Sequence, residues 1–182
     1  MLISQLEQVQ HELTHQGASR DLWNFGSDSA TPASEDDITD WLRRQLRSRL
    51  TIATTIDREV QVERGQRGSG TRIDLTVTAP AAVHPAAAVR VITEAKLVTN
   101  ATLMTAMRDQ LIRRYLIPTG LQHGIYLVYW IPPSQRKTLK RTHTDPGELL
   151  RELERQAASA GRDIYIRPLL LDITHKVRIE EP

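Results

Sequence analysis

Hydrophobic residues recur along the chain with two different periods, and the switches between them mark out the elements. Residues 1–16 place Leu2, Leu6, Val9 and Leu13 at helical spacing, which predicts a short amphipathic helix. From Gly17 to Ser34 that period is lost. This stretch, rich in Gly, Ser and Ala with Trp23 and Phe25 embedded, reads as an arm or linker whose two aromatics anchor elsewhere. The helical period returns after Ser34, a suitable N-cap. Glu35, Asp36 and Asp37 crowd the first turn and Arg43, Arg44, Arg47 and Arg49 fill the later ones, which complements the helix macrodipole. Ile38, Trp41, Leu42, Gln45, Leu46 and Leu50 form its inner stripe.

A period of two then takes over. Glu59 to Glu63 alternates, Arg64 to Gly70 is a glycine-containing loop, and Arg72 to Thr78 alternates again. Pro80 to Ala87 reads as a turn and Val89 to Leu97 as a third strand. A helix is expected from Thr102 to Leu116, stopping before Pro118 and Gly120. Gly124 to Ile131 is a near-continuous apolar run, the mark of a strand buried on both faces. Residues 134–144 form a basic loop. Asp145-Pro146-Gly147-Glu148 then opens a helix with a cap, a proline at the first position and a glutamate three after the cap. That helix ends near Gly161, and Ile164 to Ile173 is the last strand. The order α-β-β-β-α-β-α-β predicts an α/β fold, a mixed central sheet flanked by helices. Residues 1–33 read as an N-terminal helix and arm, and 34–182 as the main domain.

Composition narrows the chemistry. With 182 residues, 40% hydrophobic and 25% charged, the chain can bury one ordinary core and shows no run long enough for a membrane helix. The first residues lack the basic and apolar regions of a secretory signal, so a cytoplasmic protein with no membrane partner is expected. Cysteine is absent, which removes disulfides, thiol nucleophiles, iron–sulfur clusters and Cys-based zinc sites. The six histidines show no metal-ligand spacing, and 4% aromatic residues is few for a single-strand stacking platform. The net charge is only +2, and lysine occurs only at Lys96, Lys137, Lys140 and Lys176. In so arginine-biased a chain, a lysine inside a strand asks for an explanation.

Strand geometry supplies one. If the second and third strands form an antiparallel hairpin folded about His84, Asp74 lies opposite Glu94 and Arg72 opposite Lys96, with Arg90, Ile92, Glu94 and Lys96 on one face. Two facing carboxylates repel by up to about 1 kcal/mol, and a divalent cation between them reverses the sign. Magnesium takes one or two carboxylates, several waters and phosphate oxygens. It acidifies a bound water and neutralises charge on a reacting phosphate, while a neighbouring lysine holds or deprotonates that water.

Arg72-Ile73-Asp74 followed by Thr93-Glu94-Ala95-Lys96 resembles the signature of the PD-(D/E)XK nuclease superfamily, the restriction-endonuclease-like fold. Glu35 at a helix start, Arg58-Glu59-Val60 before a glycine-containing loop, Gln110-Leu111 with Arg114-Tyr115-Leu116, and Gly124 to Val128 extend the likeness over residues 34–131. That run is similar to uncharacterised bacterial nuclease-like domains, some attached to large ATPase proteins. The resemblance implies a Mg2+-dependent nuclease, with Mn2+ as substitute, that cleaves nucleic acid, DNA before RNA, leaving a 5′-phosphate and a 3′-hydroxyl. Asp74 and Glu94 would bind the metal with the Ala95 carbonyl. Lys96 would position or activate water, and Glu35 and Gln110 would complete the site. It leaves open a homodimer or association with a larger ATPase protein. Two features depart from the pattern. Ile73 stands where a proline is usual, and Gln110 and Tyr115 are five apart where exonuclease-type members have four, so Arg114 takes the matching slot.

Simpler roles compete for several residues. Asp36, Asp37 and Asp40 read as dipole and surface residues, and Glu59 as a half-buried strand residue. Arg113 and Arg114, with Gln110, are candidate phosphate contacts on one helix face. Lys137 and Lys140, in the cluster from Arg136 to Arg141, are candidate backbone contacts. The alternative to an enzyme is a catalytically inactive module of the same fold that binds nucleic acid or a partner protein. A weaker one is an interaction domain that docks on an ATPase through its first helix.

Overall fold

The longest apolar run becomes β8 (His123–Trp130), seven of whose eight residues are buried. In the computed structural model, which describes residues 1–26, 30–50, 53–57, 60–63, 71–81, 88–136 and 143–175, β8 lies parallel between β7 (Ala88–Leu97) and β9 (Tyr165–Asp172). On the other side of β7 come β6 (Leu75–Pro80) and then β3 (Thr55–Asp57), both antiparallel, giving a five-stranded mixed sheet in the order β3-β6-β7-β8-β9.

Alternation along β8 sends its two large tyrosines to opposite layers. Tyr126 donates its hydroxyl to the Leu103 carbonyl (2.5 Å) on α3 (Leu103–Ala106), while Tyr129 shares a 2.9 Å hydrogen bond with Thr39 on α2 (Glu35–Arg49). Helix α1 (Leu2–His15) adds Leu6, Val9 and Leu13 to the same core, and Arg49 of α2 pairs with Glu12. The aromatics of the 17–34 stretch do find anchors. Trp23, in a small hairpin of β1 (Trp23–Phe25) and β2 (Ala30–Pro32), donates to the Ile173 carbonyl (2.7 Å), and Phe25 packs edge-on against His175. Ser34 caps α2 by accepting from the Asp37 amide, and Asp145 caps α5 (Pro146–Ala158). Among the described residues no helix is long and apolar enough to cross a membrane.

Three expectations need correction. The strand expected at Arg72 to Thr78 is broken at Asp74. Only its second part, β6, pairs with β7, in the expected register from Leu75↔Thr93 to Pro80↔Ala88, while β5 (Thr71–Ile73) pairs with β4 (Val60–Glu63). Arg72 therefore lies opposite Gln61, not Lys96. The cause is a long-range contact: the Asp74 carboxylate takes the Ala95 N–H (2.8 Å), and a side chain stands in for the next rung of backbone ladder. Second, the main sheet starts earlier, at β3; Arg58, Glu59 and the 64–70 loop lie outside the described residues. Third, the helix from Leu103 does not stop before Pro118. It runs into a π-helical stretch, Met107–Leu116, and a closing turn α4 (Ile117–Thr119) that ends at Gly120, whose φ of 66° suits glycine. Near that end the bonding spans five residues, Ile117 N–H to Ile112 O.

Candidate active site

Where β6 ends at the Asp74 bend, β7 continues for four residues, and the N-terminus of α2 comes down on that overhang. These elements bring Glu35, Asp74, Glu94, Ala95 and Lys96 together. Glu94 and Lys96 share a face of β7, and Glu94 Oε1 lies 2.6 Å from Lys96 Nζ. The lysine also donates to the Ala95 carbonyl (3.0 Å) and to Glu35 Oε1 (3.3 Å). Glu35 Oε2 accepts the Leu97 N–H (2.7 Å) and the Asn100 amide (3.0 Å).

The β7 members of the group are buried, while Glu35 and Asp74 are half-buried. Glu94 is 1% exposed and Lys96 6%. The reason is the layer above: Tyr126 stands beside Glu94 in the β7–β8 register, and Tyr115, 4% exposed, packs its phenol toward the carboxylate. Burial raises the Glu94 carboxyl to about 8, and the Asp74 charge adds to it against the opposing pull of Lys96. Asp74 is raised as well, by burial first, with the Ala95 N–H and Lys96 working against it and Glu35 and Asp36 adding to it. Burial opposes the charge on Lys96, yet Glu94, Asp74 and Glu35 together raise it. Glu94 Oε2 is buried with no hydrogen-bond partner.

Other candidates fall elsewhere. Gln110 is half-buried on the π-helical stretch. Arg113 and Arg114 are exposed there, the former within 3.4 Å of Asp109. Lys137 and Lys140 lie outside the described residues. Asp37 is engaged with its cap, Ser34 (2.6 Å). Asp36 is exposed in the first turn of α2, as expected of a dipole and surface residue.

Two participants escaped the reading of the sequence. Asn100 was missed, although Asn100-Ala101-Thr102 carries an Asx-turn signal, which the 2.9 Å bond from the Thr102 amide to Asn100 Oδ1 realises. Tyr115 was set aside for its spacing from Gln110. The stretch that carries it is π-helical, bonded from i to i+5, which changes the residues that neighbour one another between turns.

No family model, curated protein or solved structure matches the chain, so the arrangement is read from its own chemistry. That chemistry is two carboxylates forced together in a low-dielectric site, with one held lysine beside them.

Proposed function

We propose that this chain is a metal-dependent nuclease of the restriction-endonuclease-like, PD-(D/E)XK kind, hydrolysing phosphodiester bonds of nucleic acid, DNA before RNA. One observation carries the reading: the half-buried Asp74 lies close enough to the buried Glu94 to raise its proton affinity, with Lys96 on the same face as Glu94. Such an arrangement costs stability unless something positive joins it.

The donor set fits magnesium. Among the described residues no group of three or more His, Cys, Asp or Glu could hold a metal ion by side chains alone, so the donors on offer are two carboxylates and one backbone carbonyl. Two carboxylates and a carbonyl suit a hard cation that keeps several waters, and Glu94 Oε2 is a buried acceptor with nothing to accept from. Asp74, Glu94 and the Ala95 carbonyl would hold the ion. The carbonyl's second lone pair stays free while Lys96 uses the first. When bound, Mg2+ or Mn2+ would acidify a water and offset charge on the phosphate.

The protein's own groups do the rest. Lys96, kept charged by its acidic neighbours, can donate to a water or to a phosphate oxygen whose charge grows in the transition state. Tyr115 and Tyr126 wall the carboxylates off from bulk water. Arg113 and Arg114, exposed on the helix that carries Tyr115, would be phosphate contacts under this reading.

The test is cleavage of plasmid, linear duplex and single-stranded DNA with Mg2+ or Mn2+ by wild type, Asp74→Asn and Glu94→Gln. Each variant should lose at least about 100-fold, since a bound cation supplies several kcal/mol of transition-state stabilisation. Full activity in either variant refutes the assignment. A second reading, a non-catalytic module that binds nucleic acid or a partner protein, draws on the 2.6 Å Lys96–Glu94 pair, which already neutralises one carboxylate. Salt-sensitive binding without cleavage under either metal would favour it.

A further inference from the structure

We infer that Glu35 and Asn100 form a positioning pair that holds Lys96, and that Glu35 is not a metal ligand. Glu35 is the first residue of α2, and its two oxygens are divided between different tasks. Oε2 is taken by two donors on the β7 side, the Leu97 amide and the Asn100 side chain, and is fixed to the overhang. That leaves Oε1 for Lys96 Nζ, 3.3 Å away.

Asn100 is itself held. Its Oδ1 accepts from both the amide and the hydroxyl of Thr102, each at 2.9 Å, so its NH2 end must point at Glu35. The turn is closed by Asn100 N–H bonding the Leu97 carbonyl (2.9 Å). The chain from Leu97 to Thr102 therefore grips one oxygen of Glu35 and aims the other at the lysine. A cation taken up by Glu94 would compete with Lys96 for that carboxylate. Glu35 is then the acid that keeps the ammonium in place. The consequence for catalysis rests on the nuclease reading above, while the holding of Lys96 rests on these contacts alone.

Amine labelling tests it without any activity. With lysine at only four positions, acetylation of the full chain at fixed pH followed by peptide mass analysis reads the Lys96 rate directly. In Glu35→Gln the acceptor end must stay with Leu97 and Asn100, which turns the NH2 end toward the ammonium, donor against donor. Lys96 should then label about tenfold faster, the equivalent of one lost charge-assisted hydrogen bond. Asn100→Ala, which removes one of two anchors, should raise the rate about threefold, with circular dichroism confirming that both variants are folded. Unchanged labelling in both variants overturns the proposal.

Calorimetric titration with Mn2+ alone separates holding from ligation. Glu35→Gln should keep the wild-type affinity within about threefold, while Asp74→Asn, which neutralises a ligand, should lose at least the roughly tenfold that removing even a group hydrogen-bonded to a ligand costs. A loss in Glu35→Gln equal to that in Asp74→Asn makes Glu35 a ligand and overturns the proposal. If wild type binds no Mn2+, the nuclease reading fails and the labelling result alone decides this one.

Discussion

Without metal, Glu94 should make the protein less stable as the pH rises. Its carboxyl is held at about 8 in the folded chain, against 4.5 for an ordinary glutamate. Between those values the folded state keeps a proton that the unfolded chain has released. Stability therefore falls with rising pH across that window, by at most 1.36 kcal/mol per pH unit and by about 5 kcal/mol in all. That is a large share of the 5–15 kcal/mol typical of a domain. Lys96, whose affinity for its proton is raised, loses its contribution only above the ordinary lysine value of 10.5, outside this window. The perturbation is Glu94→Gln, a neutral group of the same shape, and the assay is urea unfolding in EDTA from pH 5 to 9. Contributions from sites distant from Glu94 are common to both proteins and cancel in the difference. Near pH 5 the two should be similarly stable; by pH 9 the variant should be the more stable by several kcal/mol. A difference curve flat from pH 5 to 9 would refute the buried, proton-holding site.

Three further outcomes are expected. The affinity for Mg2+ or Mn2+, measured by calorimetry, should rise with pH up to about 8, because binding must displace the Glu94 proton. Replacing Lys137 and Lys140 together by alanine should weaken binding to all DNA sequences and reduce the salt dependence by roughly one unit of slope per lost contact; an unchanged slope makes that cluster an ordinary loop. Leu42→Ala, which empties a fully buried position between α2 and the sheet, should cost about 2–5 kcal/mol in urea unfolding without changing Mn2+ affinity.

Residues governed by a strong local period were legible. The α2 cap and stripe, the apolar β8 and the α5 cap all follow from their own sequence. So does the β6–β7 register, since a one-residue slip would turn Ile92 out of the core and a neighbour in. What stayed hidden depends on groups far apart in the chain. The ladder stops at Asp74 because its side chain reaches Ala95, 21 residues on, and no alternation pattern records that. The π-helical stretch hides for another reason. Met107, Leu111, Ile112, Tyr115 and Leu116 are buried at spacings of four and five, which a helix of either hydrogen-bond span can satisfy locally. The burial of Glu94 and Lys96 could not be read from β7 at all, because Tyr115 and Tyr126 supply it from other elements.

The distribution of unmet polar groups gives the site its strongest physical argument. Buried polar groups across most of this core have found partners: Trp23 on Ile173, Tyr126 on Leu103, Tyr129 on Thr39. Among the described residues, the two buried side-chain atoms left without one are Thr76 Oγ1 and Glu94 Oε2. Thr76 lies opposite Ile92 in the register; Thr76 is two residues from Asp74 on one strand, and Ile92 is two residues from Glu94 on the other. Both orphans thus fall on the same face of the same pair of strands, beside a second raised carboxyl. A sheet selected for stability alone would carry leucine or valine at those positions and gain roughly 1.5–3 kcal/mol for each. Local rules broken together at one place, in a fold that keeps them elsewhere, mark where a sequence gives up stability for something else. Under the nuclease reading proposed above, a divalent cation would supply the partner that Glu94 Oε2 lacks.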